Sequence, residues 1–329
     1  MRAWQVPELG DAQQVMGLAD VPVPAPGPGQ VRVRVRAVAL NFPDALMVRG
    51  EYQEKPALPF TPGVELCGTV DSPGSAEFPV GTRVMGLAAM PSGGLADYAL
   101  ADVDGMVAAP ASLDDAHAAA FTIAYQTGWV ALHRRAHLQR GETLLVHAAA
   151  GGVGSAAVQL GKAAGARVVG VVGSPGKVQT ALDCGADAVV DRSQYDAAGL
   201  VAALREACGP GGADVVYDPV GGDAFAASTR VVAFEGRILV VGFASGSVPK
   251  AAVNHALIKN YAVLGVYWGL YRSRAPEVIL AATQALSELL ADGRLQPLVS
   301  EVIDFDRAPT GLADLGAGRS TGRIVVRVR

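Results

Sequence analysis

One segment near the middle of the chain constrains the fold more than any other. An apolar stretch from Leu144 leads into a glycine-rich run at 150–154, which continues as a segment of helical character to Lys162. Gly151 and Gly152 allow the backbone to approach a pyrophosphate, and Gly154 allows the helix to pack close to the strand. The free N–H groups of a helix start attract an anion. The segment therefore predicts a strand, a turn and a helix that bind a dinucleotide, the alternative being an ordinary glycine-rich turn.

The residues around this segment alternate between β-branched runs and helical stretches, which is typical of a parallel, doubly wound sheet. The N-terminal region is instead β-rich: Val31–Arg36 alternates with period two, and four prolines precede it between residues 22 and 28. Strand-like runs return near the C-terminus. We expect an α/β protein with a β-rich domain at 1–120, completed by 292–329, and a doubly wound domain at 121–291.

The end of the second predicted strand indicates which dinucleotide is bound. Proteins that bind NAD place an acidic residue about 20 residues after the glycine turn, on the ribose 2′-hydroxyl. Here that region reads Gly173, Ser174, then Lys177, and no acid occurs before Asp183. A hydroxyl and a cation suit a 2′-phosphate, and Arg192 is a second candidate for the same group. We expect NADPH rather than NADH; the alternative for Lys177 is a solvated lysine at a helix start.

Composition excludes several other classes of function. The formal net charge is −4 and half of the residues are apolar, so neither nucleic acid nor an anionic membrane is an expected partner. The three cysteines are widely separated, which fits neither a disulfide framework nor a structural zinc site. The N-terminus lacks the pattern of a signal peptide. We expect a cytoplasmic, metal-free protein that acts on a small molecule.

Five motifs, in the same order along the whole chain, carry a family resemblance. They are Asn41-Phe-Pro-Asp44, Pro62-Gly-Val-Glu-Leu-Cys-Gly-Thr-Val70, Gly81-Thr-Arg-Val84, Gly94-Leu-Ala-Asp-Tyr98 and Ala149-Ala-Gly-Gly-Val-Gly154. Together they resemble the zinc-free quinone oxidoreductase branch of the medium-chain dehydrogenase/reductases, the zeta-crystallin-like proteins. The resemblance implies a GroES-like N-terminal domain, a Rossmann domain, a cleft between them and a homodimer.

The resemblance also implies a set of dinucleotide contacts. The matching residues are Tyr52, Thr127, Ala150, Gly151, Gly152, Val153, Gly154, Gly173, Ser174, Lys177, Arg192, Val241, Gly242, Phe243, Ala244, Val266, Tyr267, Trp268 and Arg319. Residues 241–244 and 266–268 match the segments along the nicotinamide half of the cofactor, and Arg319 matches an arginine that can reach the 2′-phosphate. The alternative for Arg319 is a surface arginine before a final strand.

Zinc-dependent relatives differ from this chain at the metal-binding positions. They carry a Cys and a Gly-His-Glu there, whereas this chain has Asn41 and Gly63-Val64-Glu65, and it lacks the four-cysteine structural loop. Neither zinc site can be built from these residues. Without a Lewis acid to polarise an alcohol, hydride transfer to an already electrophilic acceptor is favoured.

The acceptor side of the reaction needs positioning and a hydrogen-bond donor, because negative charge develops on oxygen as hydride arrives. Tyr52 is the predicted donor, the Asn41 amide is a second one, and Asn41 and Asp44 are predicted to organise the pocket. The alternatives are a cofactor-packing role for Tyr52 and turn chemistry around Pro43 for Asn41 and Asp44. We expect His147 to be buried and hydrogen-bonded. His133 and His137, four apart on a predicted helix, are not expected to bind metal.

The predicted function is an NADPH-dependent quinone oxidoreductase that transfers hydride to a quinone without a metal. The first alternative keeps the cofactor and reduces the activated alkene of an α,β-unsaturated carbonyl, acid or thioester. The second is an NADPH-binding structural or sensor protein without turnover. The sequence does not identify the physiological acceptor, and it does not separate one-electron from two-electron transfer.

Overall fold

The computed structural model describes residues 1–73 and 77–328. The chain forms two compact units: unit 1 is Met1–Ile123 with Pro297–Arg329, and unit 2 is Ala124–Gln296. The strands are β1 (Arg2–Gln5), β2 (Gly17–Asp20), β3 (Gln30–Ala39), β4 (Glu65–Pro73), β5 (Arg83–Leu87), β6 (Tyr98–Asp102), β7 (Met106–Ala108), β8 (Thr143–His147), β9 (Arg167–Val172), β10 (Ala188–Asp191), β11 (Ala213–Asp218), β12 (Val232–Val240), β13 (Ala262–Gly265), β14 (Val299–Asp304) and β15 (Arg323–Arg327).

Helices connect these strands. The α-helices are α1 (Ala12–Val15), α2 (Phe42–Arg49), α3 (Asp115–Ala119), α4 (Thr122–Trp129), α5 (Gly152–Ala163), α6 (Val178–Asp183), α7 (Ala197–Cys208), α8 (Gly222–Val231), α9 (Val253–Lys259), α10 (Trp268–Arg274), α11 (Pro276–Ala291) and α12 (Ala308–Gly316). Short 3₁₀ turns occupy Val103–Gly105, Pro175–Lys177, Arg192–Gln194 and Phe305–Arg307, and a π-helical segment occupies Val130–Arg135.

Unit 1 is built around a sheet in the order β14-β15-β3-β4-β5-β7, with β6 also paired to β3. The valines of β3 at 31, 33 and 35 are fully buried, while the arginines between them face outward. On the outward face, Arg32 and Arg34 form ion pairs with Asp71. Strand β15 lies antiparallel to β3, which brings the C-terminal part of the chain into the sheet of unit 1.

Unit 2 contains a six-stranded sheet in the order β10-β9-β8-β11-β12-β13, and every neighbouring pair is parallel. The predicted doubly wound parallel sheet is confirmed. Strand order reverses between β8 and β11, and ligands of such sheets bind outside the carboxyl ends of the strands at this point. The loops that follow β8, β9, β12 and β13 all leave from that same edge of the sheet.

Two boundaries in unit 2 differ from the sequence expectation. The sequence pattern predicts a helix at 175–184, but the helix begins only at Val178, because Pro175–Lys177 forms a separate 3₁₀ turn. The β-branched run predicts a strand at 238–241, but the strand begins at Val232, directly after α8, ends at Val240, and bends at Glu235, whose φ is 57°. The β-branched residues at this junction suit the end of a helix and the start of a strand alike, so periodicity did not separate the two.

Among the helices in the described part of the chain, none has the length and apolar character that crossing a membrane requires.

Candidate functional site

The glycine-rich turn lies between β8 and α5, as predicted. The N-terminus of α5 has Gly151 as its cap residue, no side chain caps it, and no acidic residue occupies its first turn. A Cβ on Gly154 would collide with the backbone carbonyl of Ala148, so only glycine allows the helix to start this close to the strand. The N–H groups of the first turn are therefore suited to an anion such as a pyrophosphate.

Two cations meet beside the ends of β9 and β10. A Cβ placed on Gly173 would lie 3.6 Å from Nε and Nη2 of Arg192, so the guanidinium lies against that backbone. Burial lowers the pKa of Lys177, and the nearby charge of Arg192 lowers it further. The Asp191 carboxylate accepts instead from the N–H and the hydroxyl of Ser193, at 3.0 and 2.8 Å. Neighbouring cations repel each other, and an anion between them would relieve this repulsion.

The segments after β12 and β13 also lie at this edge of unit 2. The N–H of Val266 donates to Val240 at 2.9 Å, and that of Val241 donates to Asp218 at 2.9 Å, so hydrogen bonds anchor the start of both loops to the sheet. Residues 241–244 and 266–268 thus share the edge that carries the glycine turn. Their predicted contacts with the nicotinamide half stay predictions.

A hydrogen-bond chain fixes the indole of Trp268. Its Nε1 donates to Oε1 of Gln126 at 3.1 Å, and Nε2 of Gln126 donates to Oγ1 of Thr283 at 2.9 Å. Gln126 is buried on α4, next to the buried Thr127. Sequence reasoning missed Gln126, since an isolated glutamine in an apolar helix carries no recognisable spacing.

In unit 1, Asp44 is fully buried at the start of α2 and accepts three backbone hydrogen bonds. Its Oδ2 accepts from the N–H of Asn41 at 2.8 Å, and its Oδ1 accepts from Gly63 and Val64, both at 3.0 Å. Burial raises the pKa of Asp44 to about 6, although these donors and the charge of Arg323 act in the opposite direction. The carboxylate ties α2 to the loop before β4. The role of Asp44 in organising the acceptor pocket stays a prediction.

The amide of Asn41 is engaged within the protein. Its Nδ2 donates to the carbonyl of Ala39 at 3.0 Å and to Oε2 of Glu65 at 3.1 Å. A flipped amide would place its oxygen against two acceptors, so this orientation is dictated by chemistry. Both hydrogens are used, and the idea that this amide donates to an acceptor oxygen is wrong. Tyr52, which packs partly buried against the core of unit 1, stays the predicted donor.

Sequence reasoning did not find the strongest electrostatic feature of unit 1, a buried ion pair between Glu65 and Arg323. Nη2 of Arg323 donates to Oε2 of Glu65, and the two side chains are 6% and 0% exposed. Oε1 of Glu65 accepts from the N–H of Ile123 at 2.8 Å. Burial raises the pKa of Glu65, and the charge of Arg323 opposes that rise. The sequence feature that could have indicated this buried ion pair is the arginine directly before the apolar run Ile324–Val326.

Arg319 lies just after α12 and forms an ion pair with a residue of that helix. Its Nε and Nη2 both donate to Oδ1 of Asp314 on α12, at 3.0 and 2.6 Å. The exposed ion pair fits the alternative of a surface arginine. Its contact with a 2′-phosphate stays a prediction.

The histidines behave as structural residues. His147 is buried, and its Nε2 lies 2.8 Å from Oγ of Ser228, which confirms the expected hydrogen-bonded side chain. The helix predicted to carry both His133 and His137 is wrong: the π-helical segment ends at Arg135, and His137 has a φ of 51° beyond it. Within residues 1–73 and 77–328, no three His, Cys, Asp or Glu side chains are grouped so that they could hold a metal ion.

Two protein-family models match the chain. Residues 27–111 match the alcohol dehydrogenase GroES-like domain, and residues 152–284 match the family described as zinc-binding dehydrogenase. The zinc in the second description has no counterpart at the positions discussed above, where this chain has Asn41 and Gly63–Glu65.

Relatives match almost the full length. The quinone oxidoreductase-like protein 2 of Bos taurus is 36% identical over 88% of this chain and 82% of its own length. The quinone oxidoreductase of Sus scrofa is 30% identical over 99% of this chain and 97% of its own. The crystal structure of Escherichia coli quinone oxidoreductase complexed with NADPH superposes with a TM-score of 0.90 at 27% identity, covering all of both chains.

Proposed function

Because the chain belongs to the zinc-free quinone oxidoreductase branch of the medium-chain dehydrogenase/reductases, we propose that it is an NADPH-dependent oxidoreductase that reduces a quinone. The observation that carries the cofactor choice is the cation pair Lys177 and Arg192 beside Gly173, where NAD-dependent proteins have a carboxylate. The solved Escherichia coli relative with NADPH supports the same choice.

The residues of unit 2 fit NADPH at both of its charged groups. The uncapped N-terminus of α5 would hold the pyrophosphate through its backbone N–H groups. Ser174, Lys177 and Arg192 would hold the 2′-phosphate through a hydroxyl donor and two cations. When bound, NADPH supplies the hydride.

The acceptor side depends on positioning rather than on a catalytic triad. Asp44 and Glu65 hold the start of α2. That helix ends at Arg49, and Tyr52 follows three residues later in the sequence. We assign to the Tyr52 hydroxyl the hydrogen bond that stabilises negative charge on the acceptor oxygen. Asn41 contributes by holding the helix start and not by donating to the acceptor.

A panel of quinones and enones, with NADPH oxidation followed optically and the products identified, tests this proposal. We expect turnover of at least one quinone, with NADPH preferred over NADH. A protein that reduces only enones or unsaturated thioesters contradicts the quinone assignment, and one that binds NADPH without turnover contradicts the enzyme assignment. Treatment with a chelator should leave the activity intact.

We also propose that the protein is a homodimer formed through the free edge of the sheet in unit 2. Strand β13 is the last strand of that sheet, and most of its residues are exposed. The preceding helix α9 exposes Val253 at 80% and Leu257 and Ile258 at 76%. An apolar edge strand beside apolar helix residues is normally covered in a native protein. We call these residues, 253–258 with 262–265, the edge surface.

A further inference from the structure

The ion pair of Glu65 and Arg323 is buried in unit 1, and the proposed function gives Arg323 no role. It joins parts of the chain that are far apart in sequence: Glu65 lies on β4, Arg323 on β15, and the partners of Glu65 include Asn41 and the first turn of α4. The carboxylate thus accepts from Arg323 and Asn41 on Oε2 and from the N–H of Ile123 on Oε1, and a backbone hydrogen bond from Thr122 also lowers its pKa. Several donors around one carboxylate favour its ionised form, which a guanidinium stabilises.

Arg323 also acts on the second buried carboxylate of this region. Its charge lowers the pKa of Asp44, which ties α2 to Gly63 and Val64. One guanidinium therefore faces two buried carboxylates, and both carboxylates bind Asn41, one at its backbone N–H and the other at its amide. The start of α2 is held from two sides by carboxylates whose pKa values the charge of Arg323 lowers.

The arrangement is not what stability alone favours. Nε of Arg323 is buried without a hydrogen-bond partner in the described part of the chain, so this donor loses its hydration without compensation. Buried ion pairs can often be replaced by apolar side chains of similar size without loss of stability. A buried pair with an unpartnered donor is better explained by the geometry that it imposes than by the stability that it adds.

We propose that Glu65 and Arg323 are positioning residues for the acceptor side of the active site: they fix the Asn41 amide and the start of α2, and thereby the placement of Tyr52. The inference rests on the proposed function, because Tyr52 is assigned as acceptor donor there. Arg49 and the left-handed Gly50 end α2 just before Tyr52, so a shift of the helix start is transmitted to that residue through a rigid element of eight residues.

The first measurement reads the position of Asn41 directly. The chain has three asparagines, Asn41, Asn254 and Asn260, and the last two are exposed, so labelling with ¹⁵N-asparagine gives three side-chain amide signals. Asn254→Asp and Asn260→Asp assign them by elimination. In Glu65→Gln and in Arg323→Lys we expect the Asn41 signal alone to shift or broaden. An unchanged Asn41 signal in both variants overturns the proposal.

The second measurement separates positioning from stability. Glu65→Gln should lower kcat with a quinone about tenfold or more, because reacting groups tolerate little displacement, while the Kd for NADPH stays within about twofold. The double variant Glu65→Met with Arg323→Met should recover the melting temperature but not kcat. Recovery of both by the double variant overturns the positioning role, since the pair would then serve only stability.

A matched control comes from unit 2, where Arg237 binds both oxygens of Glu142 at 2.8 and 2.9 Å. Glu142→Gln should lower the melting temperature and leave kcat with a quinone within about twofold; a tenfold loss in this control as well would overturn the proposal, because any broken ion pair would then have the same effect. If Glu65→Gln does not fold, the same two measurements are made on Arg323→Lys and on the double variant.

A wild-type protein that reduces no quinone rejects the proposed function alone, because the Asn41 signal is recorded without an acceptor.

Discussion

Single residues in this protein owe their roles to their hydrogen-bond partners more than to their type. Asn41 has a side-chain amide that can donate hydrogen bonds, yet both of its hydrogens are already donated to Ala39 and Glu65. Arg319 and Arg192 are both arginines near predicted phosphate contacts, but Arg319 binds Asp314, whereas the Asp191 carboxylate beside Arg192 accepts hydrogen bonds from Ser193 and Gln194. An arginine whose guanidinium is not hydrogen-bonded to a carboxylate is the better candidate for a phosphate.

The assignment of Lys177 to the 2′-phosphate predicts a cofactor-specific effect. Lys177→Glu should weaken NADPH binding about tenfold or more, which corresponds to about 1.4 kcal/mol, because a carboxylate repels the phosphate. Binding of NADH, which lacks that phosphate, should change much less. Fluorescence titration with both cofactors measures the two constants. Arg205→Glu, an exposed charge reversal on α7, is the control, and equal losses for both cofactors in Lys177→Glu would remove its phosphate role.

The buried Asp44 predicts a pH dependence of stability. Its pKa is about 6 in the folded protein and 3.8 ordinarily, so the folded state holds this proton more tightly than the unfolded state. Raising the pH from about 4 to about 6 should therefore lower the free energy of unfolding by up to about 3 kcal/mol. The difference between wild type and Asp44→Asn, measured by urea unfolding, should fall across this range.

Asp71 supplies a control of opposite sign. Hydrogen bonds from Arg32 lower its pKa, so its contribution to stability is present above the ordinary carboxyl range and is lost as the pH falls through it. The difference between wild type and Asp71→Asn should rise with pH. A rising difference for Asp44→Asn too would mean that its three backbone donors outweigh burial.

At the scale of elements, the sequence located the strands and helices of unit 2 well and their ends less well. The glycine turn between β8 and α5 was recognisable because three glycines and a flanking apolar run leave few alternatives. The 3₁₀ turn at Pro175–Lys177 and the long β12 were not, because hydrogen bonding with neighbouring elements decides where an element stops. The π-helical segment before His137 has no sequence signature either.

Close packing at the start of α5 predicts that Gly154 cannot be replaced. In Gly154→Ala the added methyl group meets the backbone carbonyl of Ala148, which cannot rotate away as a side chain could. We expect the turn to deform, the affinity for NADPH to fall about tenfold or more, and the melting temperature to drop. Gly211→Ala, where the methyl group meets no atom within 4 Å, is the matched control. Full NADPH affinity in Gly154→Ala would contradict the role of the turn.

For the molecule as a whole, the edge surface of unit 2 is the feature that no local sequence pattern predicted. Strand β13 is short and apolar, and it lies at the end of a sheet whose other edge is β10. A monomer would leave the open hydrogen-bonding groups of β13 beside the exposed residues of α9 in water. The proposed homodimer would cover both.

A charge on this surface should separate the subunits. Lysine on an edge strand opposes pairing with a second strand, so Val263→Lys should convert a particle of twice 33.6 kDa into one of 33.6 kDa. Sedimentation velocity measures this mass. Leu280→Lys, at an apolar site on α11 that is 70% exposed against 38% for Val263, should leave the mass unchanged. A wild-type protein that sediments as a monomer would reject the dimer.

The α/β class, the dinucleotide turn and the family can be predicted from the sequence, because they depend on local patterns: periodicity, glycines at fixed spacing and motifs in a fixed order. The partners of individual side chains depend instead on the folded structure. Glu65 and Arg323 are separated by 258 residues, and Asn41 received its orientation from Ala39 and Glu65. Burial makes such pairings strong, and burial is a property of the folded chain that no local window contains.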